Sequence, residues 1–319
     1  MPDKPQSWKK ISTERREQNF VGRTDQIQVF EQNFVHDEPD YLVFSVTGEG
    51  GVGKSTLLKR YAEIAQEKIN ANVGIWDDRQ VSPVVVMGYI AEKLAELSFE
   101  DREFDDRLKK YREACQQIES DPSAPRSVLN IVSRGVTDFT IKSLRRTPGV
   151  GPVFDYIDEK AAGDAVAEFA QYAVTRWGNK DEVELVREPE KILTPLFVNL
   201  LELATQRKRL VLMFDVFERT KDLLAPWLFA LLNFDYGDLN TQLTFVLSGR
   251  DPLDQRWTDL AGLLCLIQLE PFTPDETRIY LSHRGITDDG LVERIHSDTA
   301  GLPVLVELLA GTNPRPGLP

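Results

Sequence analysis

Cysteine is scarce in this 319-residue chain, with two copies. Cys115 and Cys265 lie far apart in apolar or helical contexts, so neither a disulfide framework nor a thiolate metal site is expected. Positive charge is also in short supply: 38 Lys and Arg stand against 51 Asp and Glu, a formal net charge of −13. Such a surface repels a phosphate backbone, which argues against nucleic acid as a partner, although basic stretches such as SLRRTPG interrupt it. Long apolar runs are missing. The longest, ILTPLFVNLLELA and LLAPWLFALLNF, fall short of the roughly 18 to 20 residues that cross a bilayer, and read as core helices. The opening MPDKPQSWKKISTERREQ is polar and lacks the apolar stretch of a secretory leader, so a cytoplasmic, reducing setting is expected.

What is present is a core-forming composition, 41% hydrophobic, in a chain longer than one average domain. Short β-branched and aromatic runs recur at 41–46, 73–78, 210–215, 243–249 and 265–269, with helical patterns between them. That alternation predicts a layered α/β domain with a mostly parallel sheet. TLLKRYAEIAQEKI carries an apolar stripe at helical spacing, and SPVVVMGYIAEKLAEL opens with Ser82 as N-cap and Pro83 at the first helical position. Residues 99–190 fit the layer pattern poorly and read as a helical insertion on the rim of the sheet: decoration that lengthens the core, or a partner-binding element. Thr273 and Glu276 form a capping box with Pro274 between them, predicting a small helical domain from 273 onward. The expected organisation is a polar segment at 1–18, a nucleotide-binding domain at 19–272 and the helical domain at 273–319, the whole reading as part of a longer polypeptide.

One stretch carries specific chemistry. VTGEGGVGKSTLL follows the first strand and precedes a helix, and matches GxxxxGKS at Gly48, Gly53, Lys54 and Ser55. Glycines let the loop Gly48, Glu49, Gly50, Gly51, Val52, Gly53 take positive φ angles and bring backbone N–H groups close to phosphates, in front of the positive end of the following helix. Lys54 is expected to reach the β- and γ-phosphates, Ser55 to offer its hydroxyl to Mg²⁺ and Thr56 to touch the α-phosphate. A metal-holding carboxylate is needed on a neighbouring strand, and RLVLMFDVFER supplies Asp215. Hydrolysing enzymes often place a second acid directly after the first; here that position is Val216, which cannot take a proton. Glu218 is then the candidate to orient the attacking water, or else it is a solvated or helix-capping glutamate.

Three more stretches, in this order, resemble the signal-transducing ATPases with numerous domains, relatives of the AAA+ ATPases found in apoptosis and immune proteins. FVGRTDQIQVF resembles their hhGR segment, which implies that Phe20, Val21, Gly22 and Arg23 line the base and ribose; read alone, it is equally a linker turn before a helix. LTFVLSGRDP resembles the strand whose end senses the γ-phosphate, implying that role for Arg250; read alone, Arg250 is a strand-end arginine paired with Asp251 or Asp254. GLPVLVELLAG resembles the GxP segment, which puts Pro303 near the nucleotide; read alone, Gly301 caps one helix and Pro303 starts the next. The resemblance implies a three-layer phosphate-loop fold with sheet order 5-1-4-3-2, ATP or ADP with Mg²⁺ as ligands, self-association through nucleotide domains, and an unknown sensor or effector partner. It implies an ATP-driven switch that hydrolyses slowly. A nucleic-acid loader, a scaffold that never hydrolyses and, last, a small-molecule kinase are the alternatives.

Overall fold

The computed structural model describes residues 20–76, 82–126, 172, 176, 180–217 and 221–312, without the side chains of 221–223 and 312. In chain order its elements are α1 (Thr24–Gln32), β1 (Val43–Gly48), α2 (Lys54–Glu67), β2 (Asn72–Trp76), α3 (Pro83–Glu96), α4 (Arg102–Glu119), α5 (Lys180–Arg187), α6 (Pro189–Thr205), β3 (Leu210–Phe214), α7 (Lys221–Leu232), β4 (Leu243–Gly249), a 3₁₀ segment (Gln255–Leu263), β5 (Leu264–Leu269), α8 (Pro274–His283), α9 (Asp289–Thr299) and α10 (Pro303–Thr312). The five strands form one parallel sheet in the order β2-β3-β4-β1-β5, which read from the other edge is the expected 5-1-4-3-2.

Side-chain alternation along the strands builds two cores from one sheet. Leu210, Leu212 and Phe214 of β3 face one side with Val43, Phe245 and Leu247, while Val211 and Met213 face the other with Phe44, Val46 and Val246. The first side is covered by α3, α4, α6 and α7, the second by α1 and α2, giving three layers. Strands buried on both faces read as near-continuous apolar runs, which is why β3 reads LVLMF without a polar break.

The described ends of the 99–190 stretch belong to the larger core. Phe104, Leu108, Tyr111, Cys115 and Ile118 of α4 are buried in the same cluster as Phe197 of α6 and Trp76 of β2. Burial pushes the Cys115 thiol up to about 12, so it behaves as an apolar side chain. A third, separate core joins α8, α9 and α10 through Tyr280, Leu281, Val292, Ile295 and Val306, together with Phe272 and, from the far end of the chain, Val21. No described helix is long and apolar enough to cross a membrane.

Candidate functional site

The chain leaves β1 through Gly48 at φ 149° and enters α2 through Gly53 at φ 103°, with Gly51 between them at φ 88°. These conformations are closed to most side chains, and a Cβ on Gly48 would also meet the Leu269 carbonyl. Gly53 is the N-cap of α2 and offers no capping side chain, and no acidic residue occupies the first turn. The start of this helix is therefore not closed by a side chain of its own. Lys54 anchors the loop, its ammonium donating to the carbonyls of Gly48 at 2.7 Å and Glu49 at 2.9 Å.

Asp215 follows the last residue of β3, its own N–H held by the Trp76 carbonyl at 2.7 Å. Its Oδ1 accepts from the buried Ser248 hydroxyl of β4 and from the Val216 N–H, both at 3.0 Å. Those two donors hold Oδ1, and among the described residues Oδ2 has no hydrogen bond. Val216 stands at φ 55°, a conformation a β-branched residue adopts only under strain. Arg250 projects from the end of β4 over the loop: its Nη2 lies 3.2 Å from where a Cβ of Gly50 would be.

The turn before α1 ties the loop to the helices at the other end of the chain. Arg23, at φ 63°, donates from Nη2 to the Val52 carbonyl at 3.1 Å and the Glu270 carbonyl at 2.6 Å, and its guanidinium lies 5.9 Å from the centre of the Phe272 ring. Partial burial lowers its pKa, and the carboxylates of Glu276 and Glu270 pull it back up. Gly22, at φ 70°, has no room for a Cβ because the Glu276 carboxylate fills that space. From the other side, the Val304 N–H donates to the Gly51 carbonyl at 3.2 Å, and a Cβ on Gly51 would run into the Val304 side chain. Pro303 opens α10, whereas the left-handed cap of α9 is Ala300 at φ 48° rather than Gly301, which follows it at φ 71°.

These pieces wall one cavity of about 570 Å³. Of the residues singled out from sequence it brings together Phe20, Val21, Arg23, Gly50, Gly51, Val52, Gly53, Lys54, Ser55, Thr56, Asp215, Arg250 and Pro303. Gly22, Gly48 and Glu49 stand behind the wall, and Glu218 lies outside the described residues. The wall also takes Lys59, Arg60 and Glu63 of α2, Phe272, Tyr280 and Arg284 around α8, and Val304 and Glu307 of α10. Sequence reading missed these because a charged helix shows polar residues on every turn and does not say which turn faces a cavity. The wall thus carries six cations and three carboxylates in a chain whose net charge is −13, a local reversal suited to an anion.

Among the described residues no three His, Cys, Asp or Glu side chains cluster as a metal site. Ser55 and Asp215 share the cavity wall, one hydroxyl and one carboxylate. That donor set fits Mg²⁺, which keeps several waters and takes its remaining ligands from phosphates, and does not fit an all-protein cage.

No family model matches the sequence, and no curated protein matches it. Among solved structures the chain is similar to the crystal structure of Cdc6p from Pyrobaculum aerophilum, at 15% identity and a TM-score of 0.48, over 91% of this chain and 62% of that one. The functional reading therefore rests on this chain's own residues.

Proposed function

We propose that the chain is a nucleotide-dependent switch that binds ATP or ADP with Mg²⁺ in the 570 Å³ cavity and hydrolyses ATP slowly. One observation carries this reading: the phosphate-loop residues, Asp215 and Arg250 share a cavity with Arg284, Pro303 and Glu307 of the C-terminal helices. A ligand there touches both the sheet domain and the helical unit, so a change in the ligand changes how the two fit. In this reading the loop N–H groups and Lys54 hold the phosphates, Ser55 and Asp215 hold Mg²⁺, and Arg250, over Gly50, meets the third phosphate. The metal neutralises charge on the phosphates. Turning a 1:99 balance of arrangements into 99:1 takes about 5.5 kcal/mol of differential binding, within reach of several charge-assisted contacts to one phosphate. Assembly through the nucleotide domains and relay to a sensor or effector, as in the signal-transducing ATPases, belong to the same proposal.

The test is to denature the purified protein, identify the released nucleotide by ion exchange, and compare limited proteolysis with Mg²⁺–ADP and Mg²⁺–ATP. Bound adenine nucleotide and two distinct cleavage patterns are expected. Failure to bind either nucleotide at millimolar concentration overturns the reading. Val216 favours a second reading, a holder that does not hydrolyse, because an apolar side chain lines the cavity directly after Asp215. Phosphate release that stays at the uncatalysed rate over hours selects it.

A further inference from the structure

We infer that Glu307, held by Arg284, recognises the ribose of the bound nucleotide; this rests on the nucleotide reading and names the part of the ligand that the helical unit grips. Arg284, at the C-terminal end of α8, donates from Nη2 to the Tyr280 hydroxyl at 2.8 Å and to Glu307 Oε1 at 3.0 Å, and lies 5.3 Å from the centre of the Tyr280 ring. Its Nε is buried with no partner, while Nη1 makes no hydrogen bond among the described residues and is not buried. The guanidinium is thus held through Nη2 and against the Tyr280 ring, with two donors left on Nη1. Glu307 has its second oxygen outside the pair, and its side chain remains 62% exposed.

Both residues line the nucleotide cavity, and their position along it selects the ribose. Val304 touches the phosphate loop at Gly51, and Glu307 follows it by three residues, about 4.5 Å along the helix axis. The ribose is the step between phosphates and base, at about that remove from the loop. The same wall holds Phe20, Phe272 and Tyr280, an aromatic surface that suits a base, with the Phe272 and Tyr280 rings 5.7 Å apart and Tyr280 beside Arg284. A carboxylate this close to a polyphosphate is repelled unless it is neutralised and given hydroxyls to accept from. Arg284 neutralises it, and the sugar hydroxyls supply the donors. Arg284 Nη1 can in turn donate to the same hydroxyl oxygens, so the pair offers acceptor and donor together.

The experiment is calorimetric titration of wild type, Glu307→Gln and Arg284→Lys with ATP, 2′-deoxy-ATP and 3′-deoxy-ATP, in the presence of Mg²⁺. Wild type is expected to bind ATP about tenfold more tightly than at least one deoxy analogue. Glu307→Gln should bring the three within about twofold of one another, chiefly by weakening ATP, and Arg284→Lys should narrow the gap partway. Equal affinity of wild type for all three ligands overturns the inference, as does an equal loss for all three in Glu307→Gln, the mark of a pair that merely joins α8 to α10. No binding of any of them to wild type overturns the nucleotide reading beneath it.

Discussion

The chain starts its helices in two ways. α3, α4, α8 and α9 each begin with a side chain that closes the first turn: Ser82 accepts from the Val85 N–H, Asp101 from Phe104, Thr273 from Glu276 and Asp288 from Leu291. α1 and α2 begin at Arg23 and Gly53 with no side-chain cap, and both residues lie in the cavity wall. α6 also lacks a cap, but Pro189 at its first position has no N–H to satisfy. Four helices thus close their own first turn with a side chain, whereas the two whose caps stand in the cavity wall start without one.

The most direct way to break this contrast is to give α2 a cap. Gly53→Asp places a carboxylate where the phosphates would bind and, at φ 103°, adds backbone strain of about 1–2 kcal/mol. ATP affinity should fall by about a thousandfold with helical circular dichroism retained; a variant that still binds would show that the helix start is not the phosphate site. Lys54→Ala removes the charge together with the two hydrogen bonds to the Gly48 and Glu49 carbonyls, and a loss of about a hundredfold is expected in the same titration. Thr273→Ala uncaps α8 at a residue that does not itself line the cavity. It should cost about 1 kcal/mol, read as roughly fivefold faster amide exchange at Glu276, with ATP affinity changed less than twofold.

Much of this contrast was legible beforehand. The strands at 243–249 and 265–269, the Ser82–Pro83 start and the Thr273–Glu276 box are local patterns with local physical causes, and the structure forms each of them. The candidate site was legible where glycines, a lysine and an acidic strand end state their chemistry in sequence. The C-terminal half of its wall was not. Nothing in RIYLSHRG or VLVELLAG says that Arg284 and Glu307 meet across 23 residues, because that pairing depends on how α8 packs against α10. Nor does a sequence reveal that Arg23 bends into φ 63° to reach Val52 and Glu270, contacts 29 and 247 residues away.

The subtlest test asks whether a cap works through its hydrogen bond or its charge. Asp101 accepts from the Phe104 N–H at 2.9 Å at the start of α4, where a negative charge also meets the positive end of the helix. Asp101→Asn keeps an oxygen for that N–H and removes the charge, losing a dipole contribution of about 0.5 kcal/mol. The loss has an offset nearby. The Asp105 carboxyl is pushed above its usual range first by burial and then by the charges of Glu100, Asp101 and Asp106. A carboxyl raised in the folded state favours folding most when protonated, and that contribution is lost as pH rises past about 4. Removing the Asp101 charge lightens this burden at neutral pH, so urea unfolding of Asp101→Asn at pH 7 should differ from wild type by less than about 0.5 kcal/mol. A loss of about 1 kcal/mol at pH 7 would make the charge, rather than the hydrogen bond, the working part of the cap, and would extend the same electrostatic account to the bare start of α2.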